Sequence, residues 1–271
     1  MKNNKRKKFD KKAKELFTEE LFTVGTTFNK RLYENEYCVI VKSMLNTYPD
    51  MDFFVFHENK FEKERGRGEV IIKENWDKLH VYDLFELNPW LPDFLSNSPF
   101  KDCHTFGTPS TFDPPHYWKR NAIFWFRKVV ALHSVMNMVK TPFLIWVGAD
   151  VFWKKPIDDE FLAWVQKFDV CHIDRKLFGL YTETDIMIFN LGERGKYFID
   201  GFLKSYLTHA VFEVSRWDDC IAFDGTKRVL EAQGLRFGSL LDKTGCPFNV
   251  YDYLFHWKNP FVHIRDIERG V

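Results

Sequence analysis

Phe143-Leu-Ile-Trp-Val-Gly-Ala-Asp-Val-Phe-Trp-Lys-Lys-Pro-Ile157 runs from five apolar residues through a glycine and an alanine into one carboxylate, Asp150, and then a Lys-Pro turn. A short unbroken apolar run reads as a strand buried on both faces, as in a parallel sheet covered by helices. In open sheets of that kind ligands bind beyond the carboxyl ends of the strands. An acid just past such a run therefore stands where a cation or a polar substrate is held. The same position also suits a turn or helix-capping aspartate.

On the amino-terminal side, residues 21–27 read as a first strand and residues 33–48 as a helix, with Tyr37, Val41, Met44, Leu45 and Tyr48 at helical spacing. Residues 52–57 form a second strand, so the chain opens with a βαβ unit, which predicts a parallel sheet. Residues 70–72 and 79–82 are short strand candidates flanking a charged linker. Residues 88–115, rich in Pro, Ser and aromatics, read as a long binding loop or lid. Residues 117–138 read as an amphipathic helix, with Ile123, Phe126 and Val130 on one face and Arg120, Arg127 and Lys128 on the other. Beyond the acid, strands are expected at 169–173, 185–190, 235–241 and 261–264, and helices at 196–209 and 217–233. No internal repeat or clean boundary divides the chain. The expectation is one α/β domain over residues 17–271, with a mostly parallel central sheet flanked by helices, behind a basic arm at residues 1–16.

Composition narrows the partners. With 39 basic and 38 acidic residues the net charge is +1, so no global field points to nucleic acid, and none is expected as a partner. The basic arm lacks the apolar segment of a signal peptide; it reads as a solvated terminus, with weak peripheral contact to an anionic membrane as the alternative. The apolar stretches are interrupted by charges well short of the ~20 residues a membrane span needs. Five scattered cysteines without a Cys-x-x-Cys argue against a disulfide framework and a structural zinc site, so a reducing, cytoplasmic setting is expected.

Residues 146–157 are similar to the acid segment of nucleotide-sugar-dependent glycosyltransferases of the GT-A fold, (Trp/Tyr)-(Leu/Ile)-Asp-Ala-Asp-x-x-(Phe/Leu)-x-x-Pro-(Ile/Leu), except that the first Asp is Gly148 here. Three further segments follow in the same family order. Residues 117–132 resemble the family's Trp-Arg-x-x-x-x-(Phe)-x-x-Lys-(Ile/Val)-x-x-(Leu) helix. Thr182-Glu-Thr-Asp-Ile-Met-Ile-Phe-Asn190 resembles its Glu-(Thr/Ser)-Gly-(Ile/Phe)-x-x-Phe-Asn segment, and Arg216-Trp-Asp-Asp-Cys-Ile-Ala-Phe223 a Trp-His-Asp-Ser-x-x-(Phe) segment. Residues 21–33 are similar to the first strand and loop that embrace the nucleotide.

This resemblance implies a GT-A-like, Rossmann-like fold and a hexosyl- or pentosyltransferase acting on a nucleotide-diphosphate sugar, a UDP-sugar first, with a glycan or glycoconjugate hydroxyl as acceptor. Gly25, Thr26, Thr27, Tyr33, Arg120 and Lys128 are then expected to line the donor site, with Ala149, Glu183 and Trp217 completing the substrate contacts. A hard cation, Mn²⁺ or Mg²⁺, would neutralise the departing diphosphate, with Asp150 as its ligand and His263 as a second. Gly148 offers no side chain for this. In inverting transfer a base must take the acceptor proton; Asp219 is the first choice, then Asp218 and Asp185.

Each role has a plainer counterpart. Asp218 and Asp219 suit a helix cap, His263 a satisfied structural histidine, Trp217 a core position, and Arg120 and Lys128 a solvated helix face. The alternative function is a sugar-nucleotide-binding or scaffold protein that keeps the fold without the chemistry. A nucleotidyltransferase is disfavoured, because no Gly-rich phosphate loop is present.

Overall fold

The computed structural model describes residues 21–28, 38–59, 76–97, 99–102, 121–149, 151–214 and 216–256. They contain strands β1 (Phe22–Phe28), β2 (Phe53–His57), β3 (Leu79–Asp83), β4 (Phe143–Val147), β5 (Val151–Trp153), β6 (Val170–Ile173), β7 (Glu183–Asn190), β8 (Phe237–Ser239) and β9 (Leu254–His256). The helices are α1 (Cys38–Thr47), α2 (Leu84–Leu87), α3 (Leu91–Ser96), α4 (Ala122–Met138), α5 (Asp159–Val165), α6 (Glu193–Leu207) and α7 (Asp219–Ala232).

Seven strands make one sheet in the order β3-β2-β1-β4-β7-β6-β8. Neighbours are parallel throughout except at β7, which runs against both β4 and β6. The fold is thus mixed α/β with a mostly parallel sheet, as the apolar run at 143–147 led us to expect. Side chains alternate along each strand, so one sheet feeds two cores. Phe53, Val55, Phe143, Ile145, Ile186 and Ile188 pack on one face with α1 and α5. Phe54, Phe56, Leu144, Trp146, Met187 and Phe189 pack on the other with α4, α6 and α7. Each such large side chain contributes about 1.5–3 kcal/mol on burial.

Helix α4 departs most from its expected form. Asn121 caps it, its Oδ1 accepting from the Phe124 N–H at 3.2 Å. The helix is then buried nearly all round, and Arg127 and Lys128, read from sequence as its solvent face, are buried with it. It can lie so close because Gly25 has no side chain: a Cβ there would stand 3.3 Å from Trp146 and from Val135 of α4.

Other differences are local. Part of the span read as loop is helical: α3 begins with Pro92 in its first turn, where a missing N–H costs little, and a 3-10 turn follows at Phe100–Asp102. Helix α5 and the two-stranded sheet of β5 and β9 escaped the sequence reading because each is too short to show a period. The expected strands at 70–72 and 261–264 lie outside the described residues.

A buried polar chain fastens α7 to the sheet at β6 and the approach to β7. Lys227 Nζ donates to His172 Nε2 at 2.9 Å, Thr182 Oγ1 lies 3.4 Å from His172 Nδ1, and Thr182 Oγ1 donates to Asp224 Oδ1 at 2.6 Å. With the Thr182 proton given to Asp224, the neutral imidazole must donate from Nδ1 and accept at Nε2. Burial, reinforced by the Lys227 charge and opposed by Asp174, lowers the His172 pKa to about 3. The unfolded chain protonates this histidine near its ordinary 6.5. Stability should therefore be unaffected by His172 above that pH and fall as pH drops from there towards 3, by up to about 1.4 kcal/mol per pH unit. Urea unfolding between pH 7.5 and 5 tests this: the slope should be visibly shallower in His172→Gln, and an unchanged slope would show that the imidazole is already charged in the fold.

Candidate active site

The parallel pairing of β1 with β2 and β4 brings the carboxyl ends of these strands to one edge of the sheet. Because β7 is antiparallel, its beginning lies at that same edge. Val147 pairs with Ile186, so the next residue of β4, Gly148, meets Asp185. The Gly148 N–H donates to the Asp185 carbonyl at 2.6 Å, and a Cβ at Gly148 would lie 3.0 Å from Asp185 Cβ, Cγ and Oδ1. The Asp185 side chain occupies the room a residue at 148 would need.

Helix α4 reaches this edge with two consecutive cations. Arg127 Nη1 pairs with Glu58 Oε2, just past β2, at 2.8 Å. Lys128 Nζ pairs with Asp219 Oδ2 at 2.7 Å and with Asp185 Oδ1 at 3.2 Å, and donates to Thr184 Oγ1 at 3.2 Å. Thr184 Oγ1 donates in turn to Asp219 Oδ2 at 2.6 Å. Burial by itself would lower the Lys128 pKa, but the charges of Asp219 and Asp185 and the hydrogen bond to Asp219 outweigh it and raise the ammonium above the ordinary lysine value. Lys128 is thus held charged in the interior and ties α4, β7 and α7 together.

The adjacent acids divide the two roles weighed for them. Asp218 is the cap of α7: Oδ1 accepts from the Ile221 N–H at 3.2 Å and Oδ2 from Arg216 Nε at 2.6 Å. Burial and the nearby Asp219 charge push its carboxyl pKa up, against the pull of Arg216. Asp219 turns inward to Lys128 with only 1% of its side chain exposed. A general base must reach the acceptor hydroxyl. Of the three acids read as catalytic, Asp185 is the open one, with 26% of its side chain exposed.

The other expected contacts fall around this centre. Thr26 is buried with no hydrogen-bond partner for Oγ1 among the described residues, whereas Thr27 Oγ1 donates to the Phe56 carbonyl at 3.0 Å. Gly25 packs under α4, so its lack of a side chain already has a structural cause. Ala149 is buried next to Gly148. Glu183 is engaged by Arg175 at 2.8 Å, and Trp217 is half-buried, its Nε1 donating to the Val214 carbonyl and its ring edge-on to Phe212. Tyr33, Arg120, Asp150 and His263 lie outside the described residues. Thr184 and Arg216 were missed as parts of the site; only their adjacency to the acids marked them.

Among the described residues of this network, two locations offer carboxylates to a cation, and they differ in fit. Asp218, Asp219 and Cys220 have ligand atoms within 4.8 Å of one another. There the cation's place is taken, since Lys128 and Arg216 already hold the two carboxylates, and burial followed by the Asp219 charge keeps the Cys220 thiol protonated. The Asp185 carboxylate, 26% exposed and 3.2 Å from Lys128 Nζ, is a hard oxygen donor of the kind a hard divalent ion takes, at the open end of the network. A separate groove of about 460 Å³ between α6 and α7, lined by Gly201, Ile221, Gly225 and Val229, shares no residue with this network.

No family model matches the sequence, and no curated protein gives a significant match. Solved structures with a similar fold include mouse xyloside xylosyltransferase 1 in its apo form, at 15% identity over 81% of this chain and 84% of that one, with a TM-score of 0.46. The glycosyltransferase GlyE of Streptococcus pneumoniae TIGR4 aligns at 12% identity over 92% of this chain and 59% of its own, TM-score 0.48. The galactosyltransferase LgtC, in complex with donor and acceptor sugar analogues, aligns at 12% identity over 74% of this chain and 69% of that one, TM-score 0.41. Likenesses this loose carry no argument about activity, which must come from the side chains.

The burial asymmetry within the network is measurable. Lys128→Met leaves Asp219 buried and unpaired and should destabilise the fold by about 3–5 kcal/mol. Asp185→Asn removes only the half-exposed arm and should cost no more than about 1 kcal/mol. Urea unfolding of both variants would reveal equal losses if the Lys128–Asp219 pair were not the buried anchor.

Proposed function

We propose that this chain transfers a sugar from a nucleotide-diphosphate sugar, a UDP-sugar first, to a hydroxyl of a glycan or glycoconjugate. One observation carries the reading: segments from five distant parts of the sequence converge at the carboxyl edge of the sheet. They are the end of β1, Lys128 of α4, Gly148–Ala149 after β4, Glu183–Asp185 opening β7, and Trp217–Asp219 opening α7. All five lie in segments whose wording resembles glycosyltransferase motifs, in family order. The edge is where ligands bind in sheets of this class.

Transfer breaks the bond between the sugar and the diphosphate, so negative charge grows on the leaving oxygen while the sugar carbon becomes electron-poor. A bound Mn²⁺ or Mg²⁺ would supply electrostatic stabilisation of that leaving group. Asp150 is its proposed ligand, two residues beyond Gly148, with His263 as the second. Gly25, Thr26, Thr27, Tyr33 and Arg120 are the proposed contacts to the nucleotide. Ala149 and Glu183 flank the sugar, and Trp217 offers the acceptor an aromatic face. Asp219, through Lys128, positions Asp185 instead of meeting the acceptor itself. The half-exposed Asp185 carboxylate is the acid able to touch substrate.

Purified protein should release nucleoside diphosphate from at least one member of a panel of UDP- and GDP-sugars when Mn²⁺ is present. It should bind UDP more tightly with Mn²⁺ than without, and Asp150→Asn should remove that metal-linked gain while leaving the unfolding midpoint within error of wild type. Donor binding with no turnover on any acceptor would favour the non-catalytic sugar-nucleotide-binding alternative. Absence of both binding and release would end the glycosyltransferase reading.

A further inference from the structure

The groove between α6 and α7 offers a chemistry unlike that of the sheet edge. The two helices are antiparallel: Arg194 in the first turn of α6 donates to the Gly234 carbonyl, just past α7, at 2.7 Å, and a 3-10 turn at Ala210–Glu213 leads from the end of α6 back towards the start of α7. The groove follows them from Val214 and Ile221 at one end to Tyr197 and Gln233 at the other. Its near end thus opens one helical turn beyond Trp217, beside the α7 amino terminus that contributes to the candidate site.

We propose that this groove holds the alkyl tail of a lipid-linked acceptor, whose polar end passes the α7 amino terminus to reach the carboxyl edge. The inference rests on the nucleotide-sugar reading above and names the acceptor class within it.

The aliphatic hydroxyls along the groove donate to their own helices: Ser205 to the Phe202 carbonyl at 2.7 Å, Thr208 to that of Lys204 at 2.9 Å and Thr226 to that of Ala222 at 2.8 Å. They present carbon to a ligand instead of a donor, so a sugar or an extended peptide would lose its hydrogen bonds there. Val229, Tyr197 and Val214, 58%, 52% and 45% exposed, leave apolar surface facing water along the same groove. Width decides between apolar occupants. Between Ile221 and Gln233 α7 rises ~18 Å, so a volume of about 460 Å³ corresponds to a channel roughly 5–6 Å across. One hydrocarbon chain fits, since its contact neighbours stand about 4–4.5 Å away. A partner helix, at ~10 Å, does not. Gly225 points the same way: a Cβ there would meet nothing within 4 Å. Glycine weakens a helix interior, and no neighbour in the chain requires it here, whereas clearance for a ligand does.

Butyl and dodecyl glycosides, added to the full chain below their micelle-forming concentrations and followed by calorimetry, test this without turnover. A fully buried methylene strengthens binding about fourfold, so even in an open groove the dodecyl glycoside should bind at least about tenfold more tightly than the butyl one. Gly225→Leu fills the open space with a better helix former. It should remove the chain-length preference while leaving UDP binding unchanged and the unfolding midpoint at or above that of wild type. With a donor sugar present, KM for the alkyl glycoside should fall with chain length in wild type and not in Gly225→Leu. Equal binding of the two glycosides by wild type, or a preference that survives Gly225→Leu, would overturn the inference. So would a wild-type dimer that Gly225→Leu dissociates, since a second copy would then cover the groove. Chain-length-dependent binding abolished by Gly225→Leu, in a protein that neither binds UDP nor releases nucleoside diphosphate, would instead overturn the nucleotide-sugar reading and the acceptor role, with the alkyl site left standing.

Discussion

The ammonium of Lys128 is the point on which this architecture turns. It stands in the protein interior, 2.7 Å from Asp219 and 3.2 Å from Asp185, and so binds the middle of α4 to the start of α7 and the start of β7. A buried ion pair is not an economical way to stabilise a fold, since desolvation offsets much of the attraction. Apolar residues of similar volume would hold α4 against the sheet at least as well. What the pair adds is placement. Asp185 is held at the carboxyl edge of the sheet by a buried partner, and the α7 amino terminus is drawn to the same point.

The arrangement depends on the one strand that breaks the parallel rule. Had β7 run parallel to β4, its acidic opening would lie at the opposite edge, far from Gly148. Its reversal joins residues 184 and 185 to the end of β4, and the close approach then leaves room for a single side chain at the 148–185 contact. Glycine at 148 is thereby a packing consequence of aspartate at 185 as much as a departure from a motif. The buried His172–Lys227 contact serves the same end from behind, fastening α7 to β6 so that its first turn stays beside Thr184.

Much of the scaffold was legible because alternating or unbroken apolar runs identify strands whatever their partners. The runs at 53–57, 143–147 and 186–189 reappear with their residues sorted between the two cores. Strand direction was not legible, since no local property of residues 183–190 distinguishes a parallel neighbour from an antiparallel one. The charges of α4 misled for a related reason: Arg127 and Lys128 look like a solvent face until Glu58, Asp185 and Asp219, 57 to 91 residues away in the case of the acids paired with Lys128, arrive to pair with them. The acids do stand at element ends, Asp185 near the start of β7 and Asp218–Asp219 at the start of α7. Their division of labour, with Asp218 capping, Asp219 anchoring and Asp185 open, depends on which rotamer each neighbour allows, and that emerges only from packing.

The central claim is that ligand chemistry takes place at the edge where β1, β4 and β7 meet. Amide resonances of deuterated protein, followed while UDP is added with Mg²⁺, test it directly. The account predicts shifts concentrated at Gly25–Thr27, Gly148–Ala149 and Thr184–Ile186. Shifts confined to the groove between α6 and α7, or none at all, would contradict it.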